Sequence, residues 1–313
     1  METLHALLLP ETAGDPMTGL KWTRKTTRRI SDELGTAGLT VSRTTVARLL
    51  KDLHYALRVN HKKLAGSRHP QRNEQFEYLS AQRRYCEAQG RPWISVDTKK
   101  KELIGLFKNA GTVWAQHPRL VNDHDFRSTA SGIAIPYGVF DAQANRGHLF
   151  VGTSHDTSAF AVASVAQWWA TAGRRTYPGA TELHILADGG GSNGARCRAW
   201  RYELQHRLCD SFGLTVTVGH YPPGTSKWNP IEHRLFSEVT KHWAGEPLES
   251  YDKMLNFIRT TTTTGGLVVN ATLNDADFPT GIKISDDQMK QLNIRPHPVC
   301  PAWNYTISPA RKM

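Results

Sequence analysis

The chain has 313 residues, of which 39% are hydrophobic, and is therefore long enough to bury a substantial core. No apolar run approaches the roughly 18 residues of a membrane span, and the opening ten residues lack the basic start of a signal peptide, so we expect a cytoplasmic protein without a membrane partner. The four cysteines are scattered singly with no Cys-x-x-Cys pair, which excludes a zinc ribbon and a disulfide framework.

The formal net charge of +11 is concentrated near the amino terminus. Residues 21–72 contain 13 lysines and arginines and only 3 acidic residues, so this segment carries nearly all of the net charge. Such an uneven distribution favours a polyanionic partner, and DNA is the natural one. A basic surface that is merely solvated is the alternative.

Residues 1–57 are predicted to form a helix-turn-helix segment that binds DNA. A short helix over 26–34 is broken by the glycine-containing stretch 35–38, and a second helix follows Ser42, a good N-cap. Apolar residues recur at helical spacing over 46–53, which leaves a polar and basic outer side.

The second helix resembles a recognition helix, whose first turns enter the major groove of DNA. Arginine reaches guanine edges there, and threonine reaches phosphates or methyl groups. The candidate DNA-binding residues of this helix are Arg43, Thr44, Thr45, Arg48 and Lys51. A helix pair with a glycine-containing turn also occurs as plain scaffolding, but the local charge favours binding.

Residues 58–91 are predicted to be a basic linker followed by a helix. The first part is polar, basic and without clear periodicity, as expected of a linker along a DNA backbone, with Lys62 and Lys63 as phosphate contacts; a disordered tether is the alternative. The helix is expected over 72–89, ended by Gly90 and Pro92.

Residues 92–266 show short strand-like runs separated, in the later part, by helical segments. Strands are predicted over 93–97, 133–140, 148–153, 183–188 and 215–221, and helices over 158–172, 193–212 and 229–243. The order β-β-β-α-β-α-β-α predicts an α/β fold with a mixed sheet and flanking helices. Residues 267–313 are treated as a carboxyl-terminal extension, with one further helix over 286–292.

Three acidic residues have an unusual local context. Asp97 and Asp188 each end an apolar strand-like run, and Glu232 follows Trp-Asn-Pro-Ile at the start of a predicted helix. Strand ends at one edge of a sheet gather their side chains, and three carboxylates there would suit Mg²⁺ in a two-metal site. Other acids compete for this role, namely Asp123, Asp125, Asp141 and Asp156.

Three stretches resemble motifs of insertion-sequence DDE transposases of the ISAzo type. They are 94–102 with Asp-Thr-Lys-Lys-Lys, 187–194 with Asp-Gly-Gly-Gly-Ser-Asn, and 220–233 with Trp-Asn-Pro-Ile-Glu, and they occur in the family's order. The resemblance runs from about Leu8 to the tail at 303–307. Relatives usually carry further helical sequence before the point where this chain begins, which leaves open an amino-terminally shortened copy.

The resemblance implies a ribonuclease H-like catalytic domain, distantly mariner-like, with Asp97, Asp188 and Glu232 as ligands of two Mg²⁺ or Mn²⁺ ions. It implies a nucleoid-associated transposase that cuts terminal inverted repeats and joins them to target DNA. Paired-end cutting favours a homodimer in the DNA complex, although no interface signal in the sequence shows one. Lys99 and Lys100 are expected to contact DNA phosphates near the cut, or else to decorate a hairpin turn. A non-catalytic DNA-binding repressor and a nuclease without joining activity are the alternatives.

Overall fold

The computed structural model describes residues 3–4, 25–55 and 69–310, and the backbone of 12–14 and 21–23. The chain forms two compact units, residues 1–65 and residues 66–313. No helix in the described ranges is long and apolar enough to cross a membrane.

The amino-terminal unit contains a two-stranded antiparallel sheet and a helix pair. The strands are β1 (Thr12–Gly14) and β2 (Lys21–Thr23), and the helices are α1 (Thr27–Thr36) and α2 (Arg43–Asp52). Both helices of the predicted pair are therefore present. Ser42 caps α2, because its hydroxyl accepts a hydrogen bond of 3.1 Å from the backbone N–H of Thr45. A small apolar core joins the helices, with Ile30, Leu34 and Val46 buried.

The second unit is built on a mixed sheet of nine strands in the described residues. These strands are β3 (Trp93–Thr98), β4 (Glu102–Ile104), β5 (Gly132–Asp141), β6 (Arg146–Gly152), β7 (Glu182–Ala187), β8 (Thr215–His220), β9 (Val268–Asn274), β10 (Ile294–Pro296) and β11 (Asn304–Ile307).

The strand order along the sheet is β10-β11-β8-β7-β3-β5-β6-β9, with β4 pairing with β5. The central strand β3 runs parallel to β7, which runs parallel to β8, whereas β5 runs antiparallel to both β3 and β6. An antiparallel meander of β3, β5 and β6 extended by two parallel strands is the ribonuclease H-like arrangement. The predicted ribonuclease H-like mixed sheet is confirmed.

Helices cover both faces of the sheet. They are α3 (Arg72–Ala88), α4 (Ser158–Trp168), α5 (Arg198–Leu204), α6 (Ser237–His242), α7 (Tyr251–Arg259) and α8 (Asp286–Lys290). One core lies between the sheet and α4 and α5, and a second lies between the opposite face and α6 and α7. Wider π-helical turns extend α4 and α5 at their ends, and a third, Glu232–Phe236, leads into α6.

Strands β1 and β2, in the segment predicted to be an all-α helix-turn-helix, and strands β4, β9, β10 and β11 were not predicted from the sequence. Strand β9 pairs in parallel with β6, and β11 pairs antiparallel with β8, so residues after 267 form part of the same sheet as the acidic motifs. The helix expected over 286–292 is present as α8. The tail therefore contributes both edges of the sheet.

Candidate active site

The sheet brings the ends of two acidic motifs together. Asp97 is the penultimate residue of β3, and Asp188 follows directly after β7. The two strands are parallel neighbours in which Val96 pairs with Ala187, the residues immediately before the two acids. Both carboxylates are therefore at the same end of the sheet.

A buried asparagine connects Glu232 to these strand ends. The Asn229 amide donates 3.2 Å hydrogen bonds to the Val96 carbonyl and to Asp188 Oδ1, and its oxygen accepts from the Ser95 hydroxyl. The same hydroxyl accepts a 3.1 Å bond from the Ile231 N–H. Ser95 and Asn229 are fully buried, so this network fixes the chain next to Glu232 against β3.

Glu232 is close enough to both Asp97 and Asp188 to influence their ionisation, and Asp188 also influences that of Asp97. Burial, the largest cause, and the charges of Asp188, Glu232 and Asp156 together raise the pKa of Asp97 to about 8, against a hydrogen bond from the Thr98 N–H that lowers it. Burial also raises the pKa of Asp188 to about 6, with a smaller contribution from the Glu232 charge. Among the described residues, no lysine or arginine is a principal influence on either pKa.

The donor set fits a hard divalent cation. Mg²⁺ and Mn²⁺ prefer oxygen ligands, and a cation would supply the positive charge that these mutually repelling carboxylates lack. The carboxylates therefore match such a cation in charge and in ligand type. In the described part of the chain, no three His, Cys, Asp or Glu side chains are already arranged as metal ligands.

Asp156 adds a fourth carboxylate to this end of the sheet. It lies between β6 and α4, where its Oδ1 accepts a 3.1 Å hydrogen bond from the Thr98 hydroxyl, while the Thr98 N–H donates to Asp97 at 2.8 Å. Thr98 thus connects the two carboxyl groups. Asp156 was one of several competing acids in the sequence, and only the fold separates it from the exposed Asp123 and Asp125.

The metal-free protein is expected to lose stability as the pH rises from about 6.5 to 8. A folded-state pKa raised to about 8 means that folded Asp97 binds a proton that the unfolded chain has released, so unfolding becomes easier with rising pH. Below pH 6.5 the buried histidines His148, His184 and His220, whose pKa burial lowers to about 4, act in the opposite direction.

Mg²⁺ should oppose this loss, because it binds ionised carboxylates and its affinity therefore rises with pH. Thermal unfolding from pH 6.5 to 8, with and without Mg²⁺, measures both effects. Asp97→Asn should flatten the metal-free profile. A midpoint that rises with pH in metal-free wild-type protein would contradict the prediction.

Lys99 was expected to contact DNA phosphates or to decorate a hairpin turn, but the structure holds it inside the protein. Its side chain is buried, its ammonium group lies 2.8 Å from Glu102 Oε1, and the same group lies 4.6 Å from the centre of the Trp243 ring. An ammonium group held in this way connects β4 to the end of α6 and does not project towards solvent. Lys100 is exposed and remains a candidate phosphate contact.

His220 and Trp228, which lie near Glu232 in the sequence, both make contacts that support the fold. The ring nitrogens of buried His220 contact the carbonyl oxygens of Trp303 and Asn193 at 2.9 Å each. The exposed Trp228 ring packs edge-on against Phe76, with centroids 6.2 Å apart. These contacts account for both side chains without a role in chemistry.

The candidate recognition helix presents most of its predicted contacts to solvent. Arg43, Thr44, Arg48 and Lys51 are exposed. Thr45 is half-buried, and its hydroxyl lies 3.0 Å from that of Ser42 at the helix cap. Lys62 and Lys63 are outside the described residues.

The topology and the acidic end of the sheet define a ribonuclease H-like protein. Within that class, residues 3–309 match the family model described as Rhodopirellula transposase DDE domain. The chain belongs to this family of DNA transposases, and the resemblance inferred from the three motifs is confirmed. No curated protein matches the chain.

Solved structures similar to the chain include complexes of Mos1 transposase. The Mos1 paired-end complex with the left transposon end has a TM-score of 0.47 and 15% sequence identity, covering 82% of this chain and 68% of that chain. The Mos1 strand transfer complex has a TM-score of 0.44 and 16% identity, covering 82% and 68%. The Mos1 mariner paired-end complex with Mn has a TM-score of 0.44 and 16% identity, covering 81% and 68%.

Proposed function

We propose that this chain cuts DNA at the ends of its mobile element and joins the freed 3′-hydroxyl to target DNA. The observation that carries this proposal is the placement of Asp97 and Asp188 at the same end of the parallel strands β3 and β7, with the chain beside Glu232 held to β3 through Asn229 and Ser95. Membership of a transposase DDE family supports it. The DNA partners are the element's terminal inverted repeats and the target.

In this proposal Asp97, Asp188 and Glu232 hold two Mg²⁺ ions, with Mn²⁺ as a substitute. Bound metal supplies activation of the attacking oxygen and stabilisation of the leaving oxygen during in-line phosphoryl transfer. Asn229 orients Asp188 through its 3.2 Å hydrogen bond, and the Thr98 N–H orients Asp97. Both strand cutting and strand joining are assigned to this one site.

The exposed face of α2 is proposed to contact the terminal repeats through Arg43, Thr44, Arg48 and Lys51. Thr45 and the basic residues Lys62, Lys63 and Lys100 are retained as further candidate contacts. Two ends must be cut to release one element, so a homodimer is proposed in the DNA complex. Association with the nucleoid follows from DNA binding.

Cleavage and strand transfer on labelled DNA carrying the element's own ends test the proposal. With Mg²⁺, wild-type protein is expected to produce joined products, and Glu232→Gln is expected to produce none. Binding without cutting by either protein would favour a DNA-binding repressor. Cutting without joining would favour a hydrolytic nuclease.

Binding to the terminal repeat is expected to weaken steeply with salt. If about six phosphates are neutralised, affinity should fall by roughly 10³-fold between 50 and 200 mM salt, because bound counterions are released from the DNA. Replacing Arg43 and Arg48 with glutamine should lower the slope of log affinity against log salt by up to about 1.8. Fluorescence anisotropy measures the slope, and binding insensitive to salt would contradict this assignment.

A further inference from the structure

An open cleft lies on the sheet over β6 and β9, the second and third strands from β3. It has a volume of about 880 Å³ and lies between strands β6 and β9 and the carboxyl-terminal continuation of α4. Its polar lining comprises Arg146, His148, Gln167, Arg175, Asn270 and Thr272, among other residues. No aspartate or glutamate is among the described residues that line it.

The cleft exists because the helices leave one face of β9 uncovered. Val269 and Ala271 point into the core beneath α7, whereas Asn270 and Thr272, on the opposite face of the strand, are exposed. His148 on β6 pairs in register with Asn270. Hydrogen-bonding side chains from two neighbouring strands therefore line the floor of the cleft.

Two arginines provide its positive charge. Arg146 begins β6 and is exposed, and Arg175 is exposed at the end of the α4 continuation, where its guanidinium group donates to the Thr171 carbonyl. The acid that pairs with Arg146 in strand register is Asp141. That carboxylate is buried and accepts hydrogen bonds from the Tyr177 hydroxyl and the Ala144 N–H, whereas Arg146 is exposed.

We propose that this cleft binds the phosphate backbone of a DNA duplex as a second contact, separate from the helix pair and from the carboxylates. Arginine binds phosphate through two hydrogen bonds from its planar guanidinium group, and amide and hydroxyl side chains donate to phosphate and sugar oxygens. The cleft is open along two strands, as a continuous DNA phosphate backbone would require. The inference rests on the proposed function, which makes DNA the polyanion that this protein meets.

Strand β5 separates the cleft from the acidic motif of β3. Leu149 on β6 pairs with Gly138, which pairs with Asp97, so the level of Asp97 is three residue steps, about 10 Å, along β6 from Arg146. The cleft is therefore a site beside the carboxylates and distinct from them.

The test is the salt dependence of binding by the full chain to a short labelled duplex that lacks the terminal repeat. Arg146→Gln combined with Arg175→Gln should lower the slope of log affinity against log salt by about 1.8, since each lost phosphate contact contributes about 0.9. Replacing both arginines with lysine should preserve the slope. Arg295→Gln is the matched control, because Arg295 is exposed on β10 at the other edge of the sheet.

Thr272→Glu provides an independent variant, because it places a negative charge on the exposed floor of the cleft without removing an arginine. It should weaken duplex binding, with the far-ultraviolet circular dichroism spectrum unchanged. An unchanged slope in the double glutamine variant, an equal decrease in Arg295→Gln, or unaltered binding by Thr272→Glu would each overturn the proposal. Loss of the proposed joining activity would be seen separately, as absence of strand-transfer products from wild-type protein.

Discussion

Asp97→Asn is expected to reduce metal-dependent DNA cutting by about 10³-fold or more while making the metal-free protein more stable at pH 8. The activity should fall because a central ligand of the proposed metal site is lost, and removal of a mere supporting residue at such sites already costs about 10- to 100-fold. Stability should rise because asparagine removes a buried negative charge that Asp188 and Glu232 repel.

Asparagine has nearly the shape of aspartate and retains an oxygen that accepts from the Thr98 N–H, so the fold should be preserved. Single-turnover cleavage with Mg²⁺ and thermal unfolding without metal measure the two effects on the same preparation. Asp123→Asn is the matched control, because Asp123 is a highly exposed acid. A variant that cuts normally, or one that is inactive but less stable at pH 8, would contradict the assignment of Asp97.

The opposite changes in activity and stability distinguish a metal ligand from a structural residue. A structural carboxylate stabilises the fold when charged, so its removal lowers stability and activity together. A carboxylate kept for a metal destabilises the metal-free fold, because burial and like charges both oppose its ionised form. The raised pKa of Asp97, to about 8, supports the proposal that it belongs to the second group.

The sequence predicted the acidic strand ends well because their signals are local. An apolar run ending in an acid marks both Asp97 and Asp188, and the order of strands and helices follows from alternating periodicities along the chain, whereas the ribonuclease H-like fold was implied by the family resemblance. Which acids then meet depends on strand pairing. The fold separates Asp156 from the exposed Asp123 and Asp125 through its contact with Thr98 and its proximity to Asp97.

The role of Asn229 could not be predicted, because its partners are distant in the chain. The sequence suggests that Asn229 caps a helix beginning at Pro230, a common arrangement. In the structure the helix does begin at Pro230, but the Asn229 side chain contacts Ser95, Val96 and Asp188. Nothing in the local sequence distinguishes an asparagine that caps a helix from one that connects two strands.

The burial of Lys99 and the strands at the sheet edges also depend on residues distant in the chain, so the sequence did not predict them. Three consecutive lysines suggest an exposed basic turn, but the burial of Lys99 depends on Glu102 and on the distant Trp243. Strand β9 pairs with β6 across more than a hundred residues of chain, so its short pattern carries no sign of its partner. Long-range pairing of this kind is decided by the packed core and not by local propensity.

Asn229→Ala is expected to lower both the free energy of unfolding and the cutting activity. The buried amide makes three hydrogen bonds, and its loss leaves the Val96 carbonyl, the Ser95 hydroxyl and Asp188 short of a partner, at a cost of about 2–4 kcal/mol. Activity should fall by about 10- to 100-fold, because Asp188 loses the group that orients it and Glu232 loses its anchor to β3.

Urea denaturation measures the stability change, and cleavage assayed over a range of Mg²⁺ concentrations measures the functional one. Asn256→Ala is the matched control, because Asn256 is exposed on α7. Loss of orientation should raise the Mg²⁺ concentration needed for half-maximal cutting, whereas simple partial unfolding would lower the maximal rate without moving that midpoint. An unchanged Mg²⁺ midpoint would therefore limit Asn229 to a structural role and contradict its assignment as the residue that positions Asp188.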